Sequence, residues 1–216
     1  MKEIFCILLG TLLGGAVSIY QAYETRRKET VSLASAFLGE ITTILKTIEM
    51  RNYTNIFEER KTLIENNTLA VSDQPLFSIN MEIAFPMYRT RIQDIGFLPP
   101  DLTKELILFY GYVFALLEDM INSPRLYLNQ AKINANEDPE AIKSSYYKMW
   151  LNTCNNDICI LQIAKEAGNN VKNGLDYFIK ENKENFFLKY KIHILILIII
   201  IIFLSFFCYL SDYHKI

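Results

Sequence analysis

The sequence has few of the residues that build active sites. It holds 2 histidines, 4 cysteines and 1 tryptophan in 216 residues. His193 lies inside an apolar run and His214 beyond it, so neither can serve as a general base for a Ser or Cys in the middle of the chain. No Cys-x-x-Cys occurs. Cys154 and Cys159 stand in a helical pattern at a spacing that splays the thiols, while Cys6 and Cys208 lie in the apolar ends. A zinc site, a disulfide framework and a redox pair are therefore not expected, and reduced, buried thiols are. Walker and Rossmann glycine patterns are missing. Glu58-Glu59 and Glu118-Asp119 are acidic pairs, but neighbours along a helix do not face one another, so both read as solvated. The sequence thus points to no enzyme: no catalytic, cofactor-binding or metal residue, no cofactor and no small-molecule substrate. A net charge of −2 gives no basic bias toward nucleic acid. Alternating strand patterns and internal repeats are also missing, which leaves an all-α reading.

Charge is missing altogether from two stretches. In residues 192–210 (IHILILIIIIIFLSFFCYL), every position from 194 to 204 is Ile, Leu or Phe. At about 1.5 Å per residue the stretch covers roughly 28 Å, close to the hydrocarbon thickness of a bilayer. A lone segment in lipid must satisfy its own backbone, so it is expected to span as a helix. Ile194, Ile198, Ile199, Ile201 and Ile202 are the heart of this membrane-spanning run. Residues 4–23 form the second uncharged stretch. A cleaved signal peptide would carry its cations upstream. Here Arg26, Arg27 and Lys28 follow the run, which predicts an uncleaved anchor with its downstream side in the cytoplasm. Lys180, Lys183, Lys189 and Lys191 precede the later run and only Lys215 follows it, which gives the same orientation. Phe186, Phe187 and Tyr190 among those lysines read as a collar at the headgroups. The expected layout is an external N-terminus at 1–3, a first span at 4–23, a cytoplasmic helical domain at 24–191, a second span at 192–210 and an external C-terminus at 211–216. In a bacterium the membrane is the inner one, crossed twice.

Cys6, Gly10, Gly14 and Ser18 recur every four residues on one face of the first span. Small residues in such a register let helices approach closely in lipid, so this face is the expected site of helix pairing, with the second span or between copies.

The middle region reads as a helical bundle flanked by the two spans. Val31, Ala34, Leu38, Ile41, Leu45 and Ile48 form a 3/4-spaced seam. A shorter helix is expected at 55–66, with Ile56, Leu63 and Ile64 inward. Pro86 opens another short one, with Gly96 as its C-cap. Pro99-Pro100-Asp101 starts a core helix bearing Leu106, Phe109, Tyr110, Val113, Leu116, Leu117 and Met120, which Ser123-Pro124 interrupts or kinks. Asp138-Pro139 starts a last long helix with a seam of Tyr147, Leu151, Cys154, Ile158, Leu161, Ala164, Gly168, Val171, Leu175 and Phe178. The two seams are natural partners in a set of about four to six helices.

The whole-chain plan resembles the small two-span membrane effectors encoded beside retron reverse transcriptases in bacterial anti-phage defence. The resemblance is carried by the Arg26-Arg27-Lys28 flank, the 31–48 helix, the stretch Ile95-Gly96-Phe97-Leu98-Pro99-Pro100 followed by Phe109-Tyr110, and the terminal isoleucine-rich span. It implies an effector held silent by a reverse transcriptase and its non-coding RNA until infection. Released, it damages the inner membrane and stops the host in an abortive infection. The partners implied are the lipid bilayer, the reverse transcriptase with its RNA, and further copies of the chain, since two apolar helices cannot line a water path. The alternative is a membrane-anchored scaffold or adaptor whose helical domain binds a cytoplasmic partner.

Overall fold

A computed structural model describes residues 2–66, 68, 85–134 and 138–213, without the side chains of 2–6, 8–9, 12–13, 122–125, 134, 184–199 and 201–213. It is all-α: five α-helices and one 3-10 helix, with no strand among the described residues. In chain order these are α1 (Lys2–Met50), α2 (Tyr53–Glu65), α3 (Pro86–Arg91), the 3-10 helix (Ile92–Phe97), α4 (Pro100–Asn134) and α5 (Pro139–Tyr213). The chain divides into two compact units. One comprises Met1–Val31 with Asp176–Ile216, the other Ser32–Leu175.

The start signals read from the sequence operate as expected. Pro100 opens α4, and Thr103 donates its backbone N–H to the Pro99 carbonyl at 2.9 Å. Asp138 caps α5 through Oδ1, which accepts from the Glu140 N–H at 3.2 Å. α4 bends by 53° between Pro100–Ile121 and Leu126–Ile133. Pro124 lies at the bend, where its missing N–H removes a helical hydrogen bond.

The core of the second unit forms where α1, α4 and α5 meet. Phe37 and Ile41 from α1, Leu106 and Phe109 from α4, and Leu161, Val171 and Leu175 from α5 are all buried. Gly168 and Gly174 mark close approaches; a Cβ on Gly174 would meet Leu102 Cδ2 at 2.5 Å. A Cβ on Gly168 would meet Phe109 Cε2 at 2.7 Å and Leu45 Cδ2 at 2.8 Å, so α5 can lie against α1 and α4 only because the side chain is missing. α5 runs through Gly168-Asn169-Asn170 unbroken. A satellite cluster gathers Ile64 of α2, Ala131 of α4, and Tyr146, Tyr147, Trp150 and Cys154 of α5.

Several sequence expectations are corrected. α2 starts at Tyr53 and buries Tyr53, Phe57 and Ile64, whereas Leu63 is exposed. Gly96 lies inside the 3-10 helix and does not end α3; no described glycine adopts a positive φ. The α5 seam runs through Trp150 and Asp157, fully buried, and not through Leu151 and Ile158, which are half-buried.

Candidate functional site

The membrane-directed residues come first. Gly10, Gly14 and Ser18 lie exposed on α1, and no described atom lies within 4 Å of where a Cβ on Gly10 or Gly14 would stand. The side chain of Cys6 is outside the described residues, as are those of Ile194, Ile198, Ile199, Ile201 and Ile202; the backbone of all of them is helical. Among the described residues, α1 supplies one helix long and apolar enough to cross a membrane, Gly14–Met50, with a mean hydropathy of 1.3 over its most apolar stretch. The bent pair within α4 would pass the same test only as one span. Leu106, Phe109, Val113, Leu116, Leu117 and Met120 of that pair are buried in the core of the second unit, whereas Ile107, Leu108, Leu126 and Ile133 are exposed.

Arg27 does more than the sequence reading asked of it. Arg26 and Lys28 are exposed, but Arg27 is half-buried. Its Nε and Nη2 donate to the two carboxylate oxygens of Glu24 at 3.1 and 3.0 Å, and its Nη1 donates to the backbone carbonyl of Asn182 on α5. The Asn182 side chain is itself fixed, donating through Nδ2 to the Phe178 carbonyl at 2.8 Å. The Arg27 hydrogen bonds hold the Glu24 carboxyl below the usual carboxylate range, against the opposing effect of burial. A two-oxygen grip on Glu24 orients the guanidinium, so that its remaining donor ties α1 to α5 just beyond the two uncharged stretches.

In the second unit, Glu40 of α1 organises the start of α3. Its carboxylate accepts from the backbone N–H of Met87 at 2.7 Å and of Tyr88 at 3.3 Å, and from the hydroxyl of Tyr110. A short helix with no cap of its own thereby receives one from a distant helix. Tyr88 stacks on Tyr110 at 4.0 Å, and Phe85 meets Phe114 edge-on at 5.2 Å. This packing holds Phe85 at φ 65, a left-handed conformation that a bulky side chain rarely adopts. Burial, then the Glu40 carboxylate, pushes the Tyr110 hydroxyl far above the usual tyrosine range, so it remains a donor.

Two further features stand out. The first is an acidic pair. Asp157 of α5 is 0% exposed, and its carboxylate oxygens have no hydrogen-bond partner apart from the neighbouring Asp119 carboxyl. Burial, and then the Asp119 carboxylate of α4, raise its pKa to about 8. Asp119 is therefore not the solvated surface acid expected from Glu118-Asp119; only Glu118 is exposed. The second is a cavity of about 450 Å³ within the second unit. Its walls come from α1, α2, α4, the start of α3 at Phe85-Pro86, and Leu161 of α5.

Chemistry at the remaining candidates is muted. Cys154 is buried, and that burial pushes its thiol up to about 12, so it stays protonated. Cys159 is exposed, contrary to the expectation of a buried thiol. No group of three or more metal-binding side chains occurs among the described residues.

No family model, no curated protein and no solved structure matches this chain.

Proposed function

We propose that the protein is a two-span inner-membrane effector of a retron-type anti-phage system. On this reading residues 24–191 lie in the cytoplasm, and the protein disrupts the membrane when activated. The observation that carries the reading is helix continuity. α1 bears the first uncharged run and α5 the second, and each continues without a break into the buried seams of the helical unit. The Arg27–Asn182 tie, next to both runs, supports a paired entry of the two helices. The exposed face of Gly10, Gly14 and Ser18 favours association between copies, which a membrane lesion requires. Neither uncharged run carries an Asp, Glu, Lys or Arg, and His193 is the one histidine in them, which favours disruption over selective ion conduction. The resemblance to retron effectors supplies the partners: a reverse transcriptase and its RNA that hold the protein silent.

Controlled expression in bacteria without neighbouring genes tests this. Loss of viability together with entry of a membrane-impermeant dye is expected within a generation or so of induction, and co-expression of the silencing partners should suppress both. Healthy, dye-excluding cells at matched membrane levels of the protein would favour the scaffold alternative.

A further inference from the structure

The cavity in the helical unit has the composition of a binding site, and nothing in the proposed membrane activity uses it. Its wall is apolar: Ile44 and Ile48 from α1, Phe57 from α2, and Leu116, Leu117 and Met120 from α4. At about 450 Å³ it falls in the 300–1,000 Å³ range typical of small-molecule sites. Besides Tyr53 at the start of α2, the polar side chains are four at helical spacing: Glu40, Thr43 and Thr47 on α1, and Arg51 just past its end.

Three of those four are already committed. Glu40 accepts from the Met87 and Tyr88 backbone and from the Tyr110 hydroxyl. Thr43 donates to the Gly39 carbonyl at 2.9 Å and Thr47 to the Thr43 carbonyl at 2.8 Å. Arg51 differs. Its Nη1 reaches the Tyr53 hydroxyl at 3.5 Å, the outer limit of a hydrogen bond, and its side chain is exposed. A guanidinium carries a fork of donors that matches a carboxylate or phosphate, so Arg51 presents cationic donors at the end of an apolar cavity.

We propose that this cavity binds a single-chain anionic amphiphile, with its acyl chain against Ile44, Ile48 and Leu117 and its acid head on Arg51. An uncharged hydrocarbon would satisfy the wall and leave the arginine unused. A second copy of the chain would need to bring an acidic group and an apolar side chain together. One fatty acid supplies both. The assignment is independent of membrane disruption: it holds for an effector and for a scaffold alike.

The test uses the full chain in nanodiscs of phosphatidylcholine and a palmitic acid bearing a mid-chain photoreactive diazirine. After irradiation, adducts are mapped by peptide mass spectrometry. Labelling is expected on the peptides holding Ile44–Ile48 and Val113–Met120, displaced by excess palmitate. Hexadecanol, which keeps the chain and lacks the acid, should compete about tenfold less well. Leu117→Trp fills the cavity and should reduce labelling at least about fivefold, with helicity checked by circular dichroism. Arg51→Gln, at the exposed rim and outside the core, should weaken competition by palmitate about tenfold and leave hexadecanol unchanged. It decides the matter even if Leu117→Trp fails to fold. Labelling confined to residues 4–23 and 192–210, hexadecanol competing as well as palmitate, or an Arg51→Gln variant with unaltered acid preference would each overturn the proposal.

Discussion

Asp157→Asn is expected to make the protein more stable at pH 8, by about 1–3 kcal/mol, and to flatten its stability profile between pH 5 and pH 8. The carboxyl is fully buried, its oxygens have only the Asp119 carboxyl for a partner, and its pKa rises to about 8 from an ordinary value of 3.8. The folded state therefore holds a proton that the unfolded chain has released. Stability contributed by the protonated acid is intact below the unfolded value, falls as pH rises through the window between the two, and levels off above the folded one. The slope is at most about 1.4 kcal/mol per pH unit, and relaxation of the site reduces it. Asn has no proton to lose and can donate its amide to the Asp119 carboxylate. The measurement is a urea titration of the full chain at several pH values, followed by the fluorescence of Trp150, which is buried and the only tryptophan. The wild-type midpoint should fall with pH and the variant's should not. Parallel profiles would mean that Asp157 is ionised in the folded protein.

The second large effect concerns the isoleucine-rich run. Every residue from 194 to 204 is Ile, Leu or Phe, and together they favour insertion by about 3–6 kcal/mol on a biological scale. One lysine near the middle costs about 2.5–3.5 kcal/mol, which such a run should often withstand. Ile198→Lys with Ile201→Lys costs about 5–7 kcal/mol and should tip the balance against spanning. The buried residues of the helical unit lie in Ser32–Leu175, so that unit should still fold. The expected outcome is a protein that is made, keeps its helical unit and loses toxicity and phage protection together. A double variant that is out of the membrane yet fully protective would place the function in the helical unit alone.

How much of this was legible in the sequence depended on the range of the interaction. Helix starts at Pro100 and Pro139 follow from local rules and were read correctly. The α1 seam was read nearly in register, since Ala34, Ile41, Leu45 and Ile48 are buried. The α5 seam was read one residue off in places, because an apolar residue was preferred at each step. Counting back from Leu161 by fours and threes reaches Asp157, Cys154, Trp150 and Tyr147, all buried. A strict register would have put an acid in the core, which is the very signal that periodicity read by hydrophobicity alone discards. Glu40 was not legible: its partners Met87, Tyr88 and Tyr110 are 47 to 70 residues away, and no local pattern encodes that meeting. The cavity was invisible for the same reason, since its walls come from five helices. Two spans were expected from length and charge; among the described residues one stretch of α1, Gly14–Met50, is long and apolar enough to cross a membrane.

The proposed effector function rests on two crossings with the helical unit in the cytoplasm, and a paired reporter measurement tests that most directly. Alkaline phosphatase and a fluorescent protein that matures only in the cytoplasm are fused in turn after Ile216 and inserted at Asn136. The account predicts phosphatase activity without fluorescence at Ile216, and fluorescence without phosphatase activity at Asn136. The reverse pattern, or fluorescence at both positions, would contradict it.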